Sequence, residues 1–132
     1  MKIIKYIRVS TIEQNIDRQT KHNSNYSSVY IDRCSGSLKL NVRKNGRKLI
    51  ADLKNRTISE VHVSSIDRLG RDIIDILTVI ELFNSYNVNL FVENVGMYSL
   101  VNGIPNSTFK LIVSVLGNVA EMERLNMLER QK

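Results

Sequence analysis

The chain has no tryptophan, one proline, one cysteine and two histidines among 132 residues. A lone Cys34 excludes an internal disulfide and any cysteine-rich zinc site. His22 and His62 stand too far apart in sequence to hold a metal without help from carboxylates, so no metal site is expected. No apolar run reaches membrane-spanning length; the stretch 109–120 is short and broken by Lys110 and Asn118. A signal-peptide pattern is also missing, and a cytoplasmic protein with no membrane partner is expected. What remains is ordinary for one globular domain able to bury a core, with 42% hydrophobic and 24% charged residues. The net charge of +6 points only weakly, by itself, to a polyanionic partner.

Strand and helix periods alternate along the chain. Residues 2–9 are dense in β-branched and aromatic side chains and read as a strand, after which Ser10 opens a helix expected over about 11–20. Residues 22–28 read as polar turns, 29–31 as a second strand, and 34–47 as a mobile loop of small and basic residues. A helical pattern resumes over 48–54, and 60–64 alternates as a third strand. Residues 72–86 carry Ile73, Ile76, Leu77, Ile80 and Phe83 on one side of a helix, and 89–92 form a fourth strand. The order predicts an α/β fold, a mainly parallel four- to five-stranded sheet with helices on both faces.

From about residue 106 to Lys132 there is no proline, and only Gly117 interrupts a helical pattern, which predicts a rod of about 40 Å. Phe109, Ile112, Val113, Leu116, Val119 and Ala120 form an apolar stripe on it, and beyond Met122 the sequence turns charged. Two arrangements fit this stripe. It can seat a second copy, with Phe109, Ile112, Leu116 and Val119 as the dimer interface, or it can fold back on its own sheet.

Chemistry concentrates at two strand-to-helix junctions. Arg8 and Ser10, two apart on a strand, point to the same side and can converge on one anion. Ser10-x-x-Glu13 is equally a capping box, so Ser10 is either a helix cap or a nucleophile. At the second junction stands Asp67-Arg68-Leu69-Gly70-Arg71; on a helical turn Arg68 and Arg71 share a face, and Asp67 can orient Arg71 by an ion pair. With Arg8 and Arg43, four guanidiniums become available to one region, and such planar donors suit a phosphate. The bland alternative is solvated arginines in surface pairs worth under ~1 kcal/mol. No base adjoins Ser10, and there is no Gly-x-Ser-x-Gly turn, P-loop or pair of metal carboxylates. Acyl transfer and metal-assisted hydrolysis fit poorly, and metal-free phosphoryl transfer to serine fits better.

Tyr6-x-Arg8-Val9-Ser10, Gln14 and Gln19, Asp32-x-x-Ser35-Gly36, Arg43, the Asp67 to Arg71 block, and Ala120-Glu121-x-Glu123-Arg124 leading to Glu129-Arg130 follow one another across essentially the whole chain. In this combination the sequence resembles the catalytic domain of the serine recombinases, the resolvase/invertase family. The resemblance implies that Ser10 attacks a DNA phosphodiester to form a 5′-phosphoserine link, and that ends are exchanged and religated within a synaptic tetramer without any cofactor. It places Arg8, Arg68 and Arg71 around the scissile phosphate and Arg43 on a mobile loop, with Asp67 orienting the arginines and Tyr6, Gln14 and Gln19 in the catalytic set. Arg124 and Arg130 would approach DNA. The long helix would make a homodimer that pairs into a tetramer, in a nucleoid-associated protein with no small-molecule substrate. The 132 residues would then be one catalytic domain, lacking the family's separate C-terminal DNA-binding domain.

Two departures stand out. The segment 36–43 is a little long, and Lys44 and Gly46 replace a proline and a leucine expected after the arginine, so Arg47 competes with Arg43 for its role. The turn 22–28 is short. Other functions remain open on sequence: a DNA-docking or assembly module that keeps the fold without cutting, against which intact Ser10, Arg8, Arg68 and Arg71 speak, or a metal-independent nuclease or phosphatase that releases its products.

Overall fold

The computed structural model describes residues 1–10 and 25–130. Strand β1 (Lys2–Val9) is buried on both faces from Ile4 to Val9, as the central strand of a parallel sheet must be. Strand β2 (Ser28–Arg33) lies on one side of it and β3 (Ile58–Val63) on the other, with β4 (Asn89–Val92) beyond β3, all parallel. A two-residue strand β5 (Met97–Tyr98) pairs antiparallel with β4 and gives the order β2-β1-β3-β4-β5. A small hairpin of β6 (Leu100–Val101) and β7 (Ile104–Pro105) follows. Its Asn102 and Gly103 both have positive φ, the conformation that an Asn-Gly pair accepts most easily.

Three helices complete the described residues: α1 (Lys44–Leu53), α2 (Ile73–Ser85) and α3 (Ser107–Arg130). Leu49 and Leu53 of α1, Ile76, Val79, Ile80 and Phe83 of α2, and Phe109 and Val113 of α3 join Ile4, Tyr6, Val61, Val63, Leu90 and Val92 in one hydrophobic cluster. Each fully buried side chain of this kind contributes about 1.5–3 kcal/mol. The helix expected over 11–20 lies outside the described residues. On the opposite side of the sheet Lys5 is buried with its Nζ 3.2 Å from Glu93 and 5.7 Å from the centre of the Tyr26 ring. There His62 links the Tyr26 hydroxyl at 3.1 Å to Glu60 at 2.9 Å. No helix among the described residues is long and apolar enough to cross a membrane.

The segment 34–47 departs from the loop expected of it. A 3-10 turn over Leu40–Val42 buries Leu40, and α1 begins at Lys44 rather than at residue 48. Gly46 makes this possible, because a Cβ there would stand 2.4 Å from the Leu40 carbonyl oxygen. The basic, glycine-containing sequence masks a first helical turn whose buried face is a backbone contact rather than a side chain. Helix α2 starts one residue late, since Asp72 is its N-cap and accepts from the Asp75 amide at 2.8 Å.

Helix α3 is about 36 Å long at 1.5 Å per residue, and only its beginning is covered. Phe109, expected at a dimer interface, lies instead in the domain's own core, and Ile112 is half-buried. Leu116 and Val119 stay exposed at 41% and 47%. The stripe thus divides between the two arrangements open on sequence: its first turns fold back, and its later turns leave the domain. At the crossing of α3 and α2 a Cβ on Gly117 would fall 2.2 Å from Ile73 Cδ1 and 2.8 Å from its Cβ. Gly117→Ala should therefore destabilise the domain by about 1–3 kcal/mol in urea unfolding, through overpacking. A gain of up to ~1 kcal/mol, the helix-propensity effect alone, would show that α3 does not dock on Ile73.

Candidate active site

The carboxyl ends of β1, β2 and β3 meet along one edge of the sheet, where ligands of open α/β sheets gather. Arg8 and Asp32 are register partners on β1 and β2, and Ser10 follows at the half-buried end of β1. Asp32 is buried and accepts at both oxygens. The amide of Asn45 donates to Oδ1 at 2.8 Å, and the amide of Gly46 and the Tyr6 hydroxyl donate to Oδ2 at 2.8 and 2.9 Å. The first two are free amides of the first turn of α1, so Asp32 ties that helix's positive end to the sheet. Asn45 Nδ2 also donates to the Ile31 carbonyl at 2.6 Å.

Arg43, expected on a loop, immediately precedes α1 and is 1% exposed. Its Nη1 donates to the Tyr6 hydroxyl oxygen at 3.2 Å and to the Arg68 carbonyl, and its Nε donates to the Leu38 carbonyl at 3.0 Å. Arg68 Nη1 in turn donates to the Arg8 carbonyl at 2.9 Å, and Arg8 Nη1 donates to the Cys34 carbonyl at 3.0 Å. Arg8, Arg43 and Arg68 therefore form one hydrogen-bonded group. Arg47 is exposed on α1 and takes no part in it. Three nitrogens of the group, Arg8 Nε, Arg43 Nη2 and Arg68 Nε, are buried and have no hydrogen-bond partner among the described residues.

Burial pushes the Arg8 guanidinium down from its ordinary pKa, the neighbouring charges of Arg68 and Arg43 push it further, and Asp67 opposes them. Burial raises the Tyr6 phenol well above its ordinary value, which keeps it protonated as the donor to Asp32. Buried donors left over on crowded cations suit an anion. Gly36 lies against the group, since a Cβ there would meet the Arg8 guanidinium in ordinary contact at 3.5 Å. No group of three or more potential metal ligands occurs among the described residues.

Other expected residues are placed differently. Asp67 is exposed and accepts from the Ser65 hydroxyl, while Arg71 Nε lies 3.7 Å from Asp72, so the expected Asp67–Arg71 pair is replaced by an Arg71–Asp72 pair. The reason is backbone geometry: Ile66–Arg68 is a 3-10 turn and α2 begins only at Ile73, so Arg68 and Arg71 share no helical face. Arg71 lines a cleft of about 380 Å³ with Asp67, Gly117, Glu121 and Arg124. Arg124 is exposed and paired with Glu121, and Arg130 is exposed near the end of α3. Gln14 and Gln19 lie outside the described residues. Asp32 had no role assigned from sequence, although its place at the end of the second strand, ahead of Ser35-Gly36, was a usable signal.

Residues 3–132 match the family model described as the resolvase N-terminal domain. The chain belongs to the resolvase family. A resolvase/recombinase of Pseudomonas putida is 32% identical over 98% of this chain and 69% of its own length, and the DNA-invertase hin of Salmonella typhimurium is 32% identical over 98% and 65%. The chain thus spans about two thirds of the length of these relatives. The N-terminal catalytic domain of TP901-1 integrase superposes with a TM-score of 0.68 at 26% identity, covering 92% of this chain and 95% of that one. This resolvase-family chain is a serine recombinase catalytic domain.

Within it, Asp32→Ala should cost about 3 kcal/mol in urea unfolding, because two helix amides and the Tyr6 hydroxyl lose a buried acceptor. Tyr6→Phe, which leaves the amides paired, should cost about 1–2 kcal/mol. A loss under ~1 kcal/mol for Asp32→Ala would refute the anchoring role.

Proposed function

We propose that this domain cleaves and rejoins DNA at specific sites, with Ser10 as the nucleophile. The Ser10 oxygen attacks the phosphorus, a phosphoserine P–O bond forms, and the bond to the 3′ oxygen breaks. Serine gives up its proton, and the departing 3′ oxygen gains one. Religation reverses these steps, so the phosphodiester energy is conserved and no cofactor is needed. The observation that carries this reading is the trio of buried donors on Arg8, Arg43 and Arg68, unpartnered among the described residues, at the end of the strand that Ser10 follows. Donors already in place where charge develops lower the barrier without reorganisation.

In this reading Arg8, Arg43 and Arg68 hold the scissile phosphate, Arg71 approaches from the neighbouring cleft, Tyr6 positions Arg43, and Asp67 offsets the charge crowding at Arg8. Gln14 and Gln19 support the site, and Arg124 and Arg130 meet the DNA backbone. Leu116 and Val119 of α3 hold a homodimer, two of which form a tetramer on synapsis. A separate C-terminal domain chooses the DNA site. The whole acts in the cytoplasm at the nucleoid.

Ser10→Ala should lower covalent attachment to supercoiled site DNA at least about 1000-fold with an unchanged melting temperature, read by trapping the cleaved intermediate and analysing the linked peptide by mass. Persistent adduct would assign the attack to another hydroxyl. Leu116→Glu or Val119→Glu should weaken dimerisation about tenfold or more in sedimentation, since each charge falls on an apolar contact. Identical sedimentation would remove α3 from the interface.

A further inference from the structure

Charge is unevenly distributed in this chain. Residues 33–56 carry eight Lys and Arg against a single acid, Asp52, a net of +7 in a chain whose total is +6. All the excess therefore lies in the 3-10 turn, α1 and their flanks. Helix α3, where DNA contacts were expected, balances Lys110, Arg124 and Arg130 against Glu121, Glu123 and Glu129 and offers no net attraction.

On α1 the cations are sorted by face. At about 100° per residue, Lys44, Arg47, Lys48 and Lys54 fall within an arc of about 120°, opposite the buried Gly46, Leu49 and Leu53. All four are exposed, and Ala51 lies in the middle of the arc. The one nearby acid is engaged elsewhere, as the Tyr30 hydroxyl donates to Asp52 at 2.6 Å. Among the described residues no ion pair involves Lys44, Arg47, Lys48 or Lys54. The stripe starts next to Arg43, the last residue before α1 and a member of the buried arginine group.

We propose that the exposed face of α1 is a docking track for the DNA backbone, in which Lys44, Arg47 and Lys48 contact phosphates flanking the one held by Arg8, Arg43 and Arg68. The face is about 15 Å long, room for about four phosphates of one strand at ~3.4 Å each along the duplex axis. Continuity with the arginine group fixes the register: a strand lying on the track delivers its next phosphate to the site. No base edge is read, so the track contributes affinity and orientation rather than sequence choice. This inference rests on the reading of the domain as DNA-cleaving.

The test is fluorescence anisotropy of the chain carrying Ser10→Ala on a 30-base-pair duplex of arbitrary sequence, across a salt series. Removing Lys44, Arg47 and Lys48 together (K44Q, R47Q, K48Q) should flatten the slope of log K against log salt by about 2.7 and weaken binding on the order of 100-fold at ~0.1 M salt. Ala51→Glu, which removes no cation, should also weaken binding, and Lys110→Gln should change the slope by less than ~0.5. Because these side chains are exposed, all variants should keep the parent's melting temperature. An unchanged slope in the triple variant, or no binding of the parent at ~20 mM salt, overturns the proposal. Trapping of an adduct on Ser10 by the protein with its serine intact, alongside an unchanged slope here, would sink the track and leave the chemistry standing; a flattened slope with no such adduct would do the reverse.

Discussion

One buried carboxylate decides where the group of like charges stands. Three guanidiniums brought together at a sheet edge repel one another and lose hydration, and a buried charge survives only when paired or hydrogen-bonded. Asp32, on the strand beside Arg8, makes no ion pair with them among the described residues; it orders the group by holding the first turn of α1 and the Tyr6 hydroxyl. Since Arg43 is the residue from which that helix departs, the position of the helix and of the arginine are set together. The hydrogen bonds then run from Asp32 through Tyr6 and Arg43 to Arg68 and Arg8 without passing through a free loop. A site carried on strands and a helix start holds its geometry better than one carried on loops.

The crowding of charge is not fully offset, and that is chemically useful. Arg8 stays below its ordinary pKa because it is buried and because Arg68 and Arg43 are close. An incoming anion relieves both conditions. A hydrogen bond to a charged group contributes about 1.5–3 kcal/mol, so donors from three guanidiniums supply several kcal/mol towards a phosphate before desolvation is counted. Charge that grows on phosphoryl oxygens during attack is stabilised further by donors already in position.

Periodicity in the sequence made the sheet, α2 and the long final helix legible, because each buries a stripe or a run of apolar side chains. It failed where the stabilising contact is made by backbone. The first turn of α1 packs through Gly46 against the Leu40 carbonyl, leaving a polar, basic sequence that reads as loop. The same failure hid the burial of Arg43. The Asp67–Arg71 pairing presumed an α-helix where the chain makes a 3-10 turn, and a shift of that size decides which carboxylate Arg71 meets. Three of the four arginines offered to one region by residue type and order do stand together, but Arg71 lies apart and the choice between Arg43 and Arg47 was open until burial decided it; the acid that organises the group was visible but had no obvious job until its two amide partners were placed. Phe109 shows the limit of a hydrophobic stripe, which states that a face is covered without stating by what.

Asn45 has a consequence beyond the site it helps to build. Among the described residues β2 is the outer strand on its side of the sheet, and an outer strand with open carbonyls invites another chain to add itself. Asn45 occupies the Ile31 carbonyl, and on the far side β5 offers only two residues. Neither border is a long unobstructed ladder. Edge-to-edge addition of one sheet to another is therefore obstructed at both borders, which guards a chain with an open parallel sheet against fibre growth.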